Sequence, residues 1–208
     1  MAESTADLEQ EADTAQDTNS EPGLIRLIIQ DLAVVFAAVS LWAAADTWYE
    51  VSGLWLAQVI AVGDAILVGL LIASLFHEWG HYTGAVTSGA QTKRVAPAGL
   101  SFFRFEFDYE NNDQRQFHWM TYGGHIFHWA ILITLAVALP LDSLSRIALV
   151  SSVFGFVAFA TFFEYHIVKD TWAGKSPAAR LAEISSSDFQ QPVVVGALGG
   201  LFAMAALA

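Results

Sequence analysis

The chain has no cysteine, and this absence excludes several kinds of site at once. Disulfides, thiolate metal ligands, iron–sulfur clusters and cysteine nucleophiles are all ruled out. Any bound metal must therefore be held by histidine and carboxylate side chains. Charged residues are also scarce, at 14% of the 208 residues, whereas 55% are hydrophobic and the mean hydropathy is +0.46. This composition excludes an ordinary soluble domain and is typical of a small polytopic membrane protein.

Residues 1–22 contain no lysine or arginine. They carry seven acidic side chains, namely Glu3, Asp7, Glu9, Glu11, Asp13, Asp17 and Glu21. The segment lacks both the basic and the apolar part of a signal peptide, so we expect a disordered, solvated acidic tail, followed by a single transmembrane domain over residues 23–208. The tail accounts for much of the net charge of −12. An acidic chain of this kind argues against a nucleic-acid partner.

Five apolar stretches are long enough to cross a bilayer as helices. They cover residues 24–45, 54–76, 122–141, 145–166 and 192–208. The last stretch is the shortest and is rich in glycine. We therefore predict an all-α polytopic membrane protein with about five transmembrane helices, surrounded by the lipid bilayer.

The loop between the second and third stretches is polar, and its centre alternates. Phe103, Phe105, Phe107 and Tyr109 are separated by single polar residues. A period of two predicts a short β-strand or hairpin with one apolar face. Two interpretations of this strand remain open. Its apolar face packs against the helices or the lipid interface, or its edge holds an extended substrate by β-addition.

The positions of lysine and arginine predict the orientation. With a cytoplasmic amino terminus, only Arg146 lies on the outer side, and eight basic residues lie on or near the inner side. These eight are Arg26, Lys93, Arg94, Arg104, Arg115, Lys169, Lys175 and Arg180. We therefore expect an integral protein of a prokaryotic cell (inner) membrane with its amino terminus in the cytoplasm.

The second apolar stretch runs into the motif His77-Glu78-Trp79-Gly80-His81. An α-helix places positions i and i+4 on one face, so His77 and His81 can bind one cation while Glu78 stays free to act as a base. Ionisable residues at the border of an apolar span are costly, which favours a functional role. The competing interpretation is a pair of hydrogen-bonded interfacial histidines.

The predicted topology brings the other four histidines to the depth of this motif, namely His118, His125, His128 and His166. His125 and His128 are three residues apart and share a helix face. One hypothesis is that they stabilise an oxyanion or orient a substrate, and the other is a hydrogen-bonded interface pair. Asp31 and Asp64 also lie in apolar stretches, where we expect each to hydrogen-bond a neighbouring helix.

Several features together resemble the site-2-protease type of intramembrane zinc metallopeptidase. The resemblance covers about residues 54–175 and rests on the motif from His77 to His81, on Ala85 and Gly89, on the strand-bearing loop and on Gly123-Gly124. It implies hydrolysis of peptide bonds in membrane-spanning protein substrates, near the cytoplasmic face.

The resemblance also implies roles for individual residues. His77 and His81 correspond to two ligands of Zn²⁺, and Glu78 corresponds to the catalytic residue. The third ligand of the family is an aspartate near the cytoplasmic end of a later span, and Asp170 occupies that place. His128, His166 and Glu164 lie at a suitable depth and remain alternatives for the third ligand.

Two other classes of protein are compatible with the histidine pattern. The spacings His77 to His81 and His125 to His128 suggest a membrane di-iron oxidase or hydroxylase. A non-catalytic membrane protein that keeps a metal site for stability or regulation is the other alternative. Substitution of Glu78 separates a scaffold from an enzyme, because a scaffold does not need a general base.

Overall fold

The computed structural model describes residues 21–95 and 102–208 of the chain, so most of the predicted tail lies outside the described residues. The predicted fold class is confirmed, since five helical segments are long and apolar enough to span a membrane. The elements in order are α1 (Leu24–Ser52), α2 (Trp55–Thr87), β1 (Thr92–Val95), β2 (Arg104–Phe107), α3 (Gln114–Ala138), α4 (Leu144–Trp172), α5 (Pro177–Ala182), a 3₁₀ turn (Ser186–Phe189) and α6 (Gln190–Leu207).

Local signals set where the long helices begin and end. Helix α1 is followed by the capping residue Gly53, whose φ of +64° is favourable for glycine, and α2 begins two residues later. Helix α3 begins with a capping box. The Asp113 carboxylate accepts the Gln116 backbone N–H at 2.8 Å, and the Gln116 side chain accepts the Asp113 backbone N–H at 2.8 Å. The end of α2 and the start of α3 lie at the same end of the bundle, because Gly84 faces Trp119 and Met120.

Helix α2 is the central helix of the bundle. It contacts α1, α3 and α4, whereas α6 packs against α4. The contact with α3 is a backbone contact, because Gly80 and Gly84 face Gly123. A Cβ atom on Gly84 would lie 3.1 Å from the Cα atom of Met120. Such close approach through glycine is a common way for membrane helices to associate.

We expect the substitution Gly84→Val to push α2 and α3 apart. Added atoms at a tightly packed contact cost about 1–3 kcal/mol of stability, so the thermal unfolding temperature in detergent should fall clearly. Gly63→Val is the matched control in the same helix, since a Cβ at Gly63 has no atom within 4 Å. Circular dichroism during heating measures both variants, and equal unfolding temperatures would contradict the close helix contact.

The predicted strand is confirmed as β2 of a two-stranded antiparallel hairpin, in which Thr92 pairs with Phe107 and Val95 with Arg104. Its apolar face packs against the helices. Phe103, which directly precedes β2, stacks on Trp79 with ring centroids 3.8 Å apart, and Phe107 lies against Phe117. The hairpin is therefore attached to the helix that carries the histidine motif.

The two ends of the bundle differ in charge. The end formed by the start of α1, the end of α2, the hairpin, the start of α3 and the end of α4 carries the eight basic residues that the sequence grouped together, and we call it the basic end. At the opposite end, Arg146 bonds three carboxylates. Its Nε lies 3.0 Å from Asp46, and its terminal nitrogens lie 2.5 Å from Glu50 and 2.6 Å from Asp142. This network ties α1 to α4.

Candidate metal centre

Three side chains from two helices converge near the basic end. His77 and His81 lie one turn apart on α2, and Glu164 lies on α4. The His77 Nε2 and His81 Nε2 atoms are 3.0 Å apart, and they lie 2.8 Å and 3.1 Å from Glu164 Oε1. His77 is 7% exposed and Glu164 is 9% exposed. A metal–nitrogen distance of about 2.0–2.1 Å separates neighbouring tetrahedral ligands by roughly 3.3 Å, so the spacing suits one cation.

The Nδ1 atoms of His77 and His81, which point away from Glu164, each have a partner as well. His81 Nδ1 lies 3.0 Å from the backbone carbonyl of Met120, which can only accept a hydrogen bond. His81 Nδ1 therefore carries the proton, and its Nε2 presents a lone pair to the cluster. His77 Nδ1 lies 3.1 Å from His128 Nδ1. Partners of this kind fix the orientation of metal-binding histidines.

Glycine makes room for the His81 ring. A Cβ atom at Gly124 would lie 2.6 Å from His81 Cε1 and 2.8 Å from His81 Nδ1. Any side chain at position 124 would therefore displace the imidazole. The Gly123-Gly124 pair thus serves two contacts, since Gly123 faces the α2 backbone and Gly124 faces the histidine ring.

His125 and His128 on α3 extend the cluster. The Nδ1 atom of His125 lies 3.2 Å from Glu164 Oε2, but the two atoms are not aligned as a hydrogen bond. His128 is fully buried and stacks on His77 with ring centroids 5.0 Å apart. Its Nε2 has no hydrogen-bond partner among the described residues. Four histidines and one carboxylate therefore form a single group.

The structure brings Glu164, and not Asp170, to the histidine pair. Asp170 lies six residues after Glu164 on α4, which is about 9 Å further along the helix and on a different face. Its Oδ2 accepts a hydrogen bond from Arg180 Nε at 2.7 Å, so it ties α4 to α5. The assignment of Asp170 from the resemblance therefore has no geometric support in this structure.

Two other histidines that the sequence placed near the motif also lie outside the cluster. His166 is exposed, and its Nδ1 lies 3.0 Å from the Phe162 carbonyl. His118 is buried, and its Nε2 lies 2.9 Å from Thr171 Oγ1. Neither histidine joins the three side chains that could hold a metal ion, which are His77, His81 and Glu164.

Glu78 lies beside the cluster and is partly buried. Its side chain points about 100° around α2 from His77, because successive helical residues are rotated by that angle. In the part of the chain that the structure describes, no ion pair engages its carboxylate.

Trp79 connects the motif to two other elements. Its Nε1–H donates a hydrogen bond of 2.8 Å to Asp31 Oδ2 on α1, and its ring stacks on Phe103. This hydrogen bond confirms the bond to a neighbouring helix that we expected for Asp31, whose side chain is buried at 5% exposure. For Asp64, no hydrogen-bond partner is present within residues 21–95 and 102–208.

The fold and the cluster define an integral membrane protein with a buried histidine and carboxylate group that could hold a metal ion. Comparisons with models of known protein families, with curated proteins and with solved structures found no match to this chain. A functional conclusion must therefore rest on the residues of this chain and on their chemistry.

Proposed function

We propose that the protein is an intramembrane zinc metallopeptidase that hydrolyses peptide bonds of membrane-spanning substrates. His77, His81 and Glu164 bind the metal, and Glu78 is the general base. The observation that carries the proposal is the meeting of two imidazole nitrogens and one carboxylate oxygen at about 3 Å within a membrane helix bundle. Intramembrane ionisable groups of this kind are costly and usually functional.

The set of donor atoms fits zinc. Two histidine nitrogens and one carboxylate oxygen are the ligands of several catalytic zinc sites, which keep a fourth position open for water or substrate. The fixed Nδ1 partners, Met120 and His128, favour metal binding through Nε2 of both histidines. A bound zinc ion supplies Lewis acidity, which lets water act as a nucleophile near neutral pH.

Glu78 moves the proton in the proposed reaction. Its carboxylate accepts a proton from the attacking water as the oxygen bonds to the peptide carbonyl carbon. The carbon–nitrogen bond then breaks, and Glu78 passes the proton to the leaving amine. The absence of an ion pair at Glu78 among the described residues supports this role, because no cationic side chain holds the carboxylate away from a substrate.

The hairpin is suited to hold the substrate. Cleavage needs an extended backbone, and a two-stranded sheet leaves an outer edge on each strand that can pair with a third strand. The stacking of Phe103 on Trp79 keeps β2 beside the helix that bears Glu78. The same proposal places the basic end at the cytoplasmic face of a prokaryotic cell membrane, following the distribution of lysine and arginine.

A membrane di-iron oxidase or hydroxylase is the second candidate. It is favoured by His125, whose Nδ1 lies 3.2 Å from the second oxygen of Glu164, and by His128 close behind it. A carboxylate with histidines at both oxygens can bridge two ions. The cluster has one carboxylate, however, and di-iron sites in helix bundles commonly use several.

Metal content separates these functions. We expect the full chain, purified in detergent without chelators, to contain about one zinc ion per chain, measured by inductively coupled plasma mass spectrometry. About two iron ions per chain would favour the oxidase. Protein that binds no metal, even after incubation with zinc, would overturn the peptidase proposal.

A further inference from the structure

A wide groove lies on the surface of the basic end, where α3 begins and α4 ends. Its volume is about 650 Å³. We call it the interfacial groove, and it is lined by Gln114, Arg115, His118, Trp119, Tyr122 and Trp172. It is formed by residues outside the metal centre.

The aromatic walls of the interfacial groove are held in place. The His118 ring stacks on Trp172 with centroids 4.6 Å apart, and Trp172 Nε1–H donates a hydrogen bond of 3.0 Å to the Tyr122 hydroxyl. His118 Nε2 and the Gln114 amide both bond to Thr171, at 2.9 Å and 2.5 Å. These polar groups are therefore already engaged within the protein, and the walls present mainly ring surface.

Arg115 is the one charged residue among the described residues that line this groove. It is exposed and forms no ion pair with any carboxylate of the described residues, whereas Arg94, Arg146 and Arg180 each form at least one. The nearby Asp113 carboxylate is engaged in capping α3. Arg115 therefore offers an unpaired guanidinium at the mouth of an aromatic groove.

The exposure of the walls fits a location at the membrane surface. Trp172 is 64% exposed and Trp119 is 48% exposed, which would be unfavourable for two large rings in water. Tryptophan and tyrosine concentrate where the hydrocarbon core meets the headgroups. At that depth the rings would contact lipid, and Arg115 would lie at the level of the headgroups.

We propose that the interfacial groove binds an anionic phospholipid. Its phosphate pairs with the Arg115 guanidinium, and its glycerol backbone and upper acyl chains lie against Trp119, Tyr122 and Trp172. A guanidinium matches the geometry of a phosphate and binds it by charge-assisted hydrogen bonds. A soluble anion would leave the aromatic walls uncovered, and a zwitterionic lipid would place a second positive charge beside Arg115. The lipid site is independent of the proposed peptidase activity.

The test compares two lipids with identical acyl chains, phosphatidylglycerol and phosphatidylcholine. Native mass spectrometry of the full chain, titrated with each lipid in detergent, gives the two affinities. One basic residue near an anionic lipid contributes about a fivefold change in affinity. We expect phosphatidylglycerol to bind more tightly than phosphatidylcholine by about this factor, Arg115→Gln to remove the preference, and Arg115→Lys to keep most of it.

The matched control is Arg104→Gln. Arg104 is exposed on β2, outside the interfacial groove, and its substitution changes the net charge by the same amount. We expect this variant to keep the preference for phosphatidylglycerol. Equal affinity of the wild-type chain for both lipids would overturn the proposal. So would an equal loss in the two glutamine variants, which would show adsorption by overall charge alone.

Discussion

The Glu164→Gln variant is expected to bind zinc at least about 100-fold more weakly than the wild-type chain. Loss of a partner outside the ligand set typically costs 10–100-fold in metal affinity, and in the proposed site Glu164 supplies a ligand atom and the negative charge. Its Oε1 lies 2.8 Å and 3.1 Å from the two histidine nitrogens. Competition with a chromophoric zinc chelator in detergent measures the affinity of each variant.

Asp170→Asn is the matched control for this experiment, because it removes one carboxylate charge from the same helix. Asp170 bonds Arg180 rather than the histidine pair, so we expect its zinc affinity to stay close to that of the wild-type chain. The opposite pattern, with zinc lost in Asp170→Asn and kept in Glu164→Gln, would restore Asp170 as the third ligand. Equal affinity in all three proteins would remove both carboxylates from the site.

Hydropathy predicted the spans well but not their ends. Backbone N–H and C=O groups in lipid have no water to bond with, so a long apolar stretch forms a helix in which these groups pair with one another. The helices continue beyond the apolar residues, however. The second stretch ends at residue 76, whereas α2 runs to Thr87 through the polar motif, and α3 starts at Gln114, eight residues before its predicted span. Backbone hydrogen bonding and the Asp113 cap set these ends, and hydropathy does not record them.

The hairpin was only partly predictable for a related reason. Strict alternation around Phe105 marked β2, because a period of two belongs to a strand. The partner strand, Thr92–Val95, has the sequence Thr-Lys-Arg-Val and carries no comparable pattern. Its identity follows from pairing across the loop, and such pairing depends on contacts between distant residues rather than on local periodicity.

The sequence also predicts only part of the candidate metal centre. The i and i+4 spacing predicts that His77 and His81 share a face, because helix geometry alone decides it. The third side chain depends on how α4 is rotated against α2, and that rotation follows from contacts such as Gly69 with Ser152. One signal in the sequence did point to Glu164. It is the only acidic residue between Asp142 and Asp170, and a lone carboxylate in an apolar span needs a partner.

The Glu78→Gln variant should keep its zinc and lose its hydrolytic activity. Glutamine has nearly the shape of glutamate but cannot accept the proton, and removal of a general base typically lowers the rate by about 10²–10⁴-fold. His77, His81 and Glu164 are untouched, so about one zinc ion per chain should remain. The measurement is cleavage of a single-span reporter protein reconstituted with the enzyme in liposomes, with the fragments identified by mass spectrometry.

The matched control for Glu78→Gln is Glu183→Gln. Glu183→Gln removes an equal charge from an exposed side chain that pairs with Lys175 away from the cluster, and it should cleave like the wild-type chain. Full cleavage by Glu78→Gln would remove Glu78 from the mechanism. Loss of both the zinc and the cleavage activity would instead place Glu78 among the groups that hold the metal, as a ligand or as a support for the ligands, because a residue that only carries a proton is not needed for zinc binding.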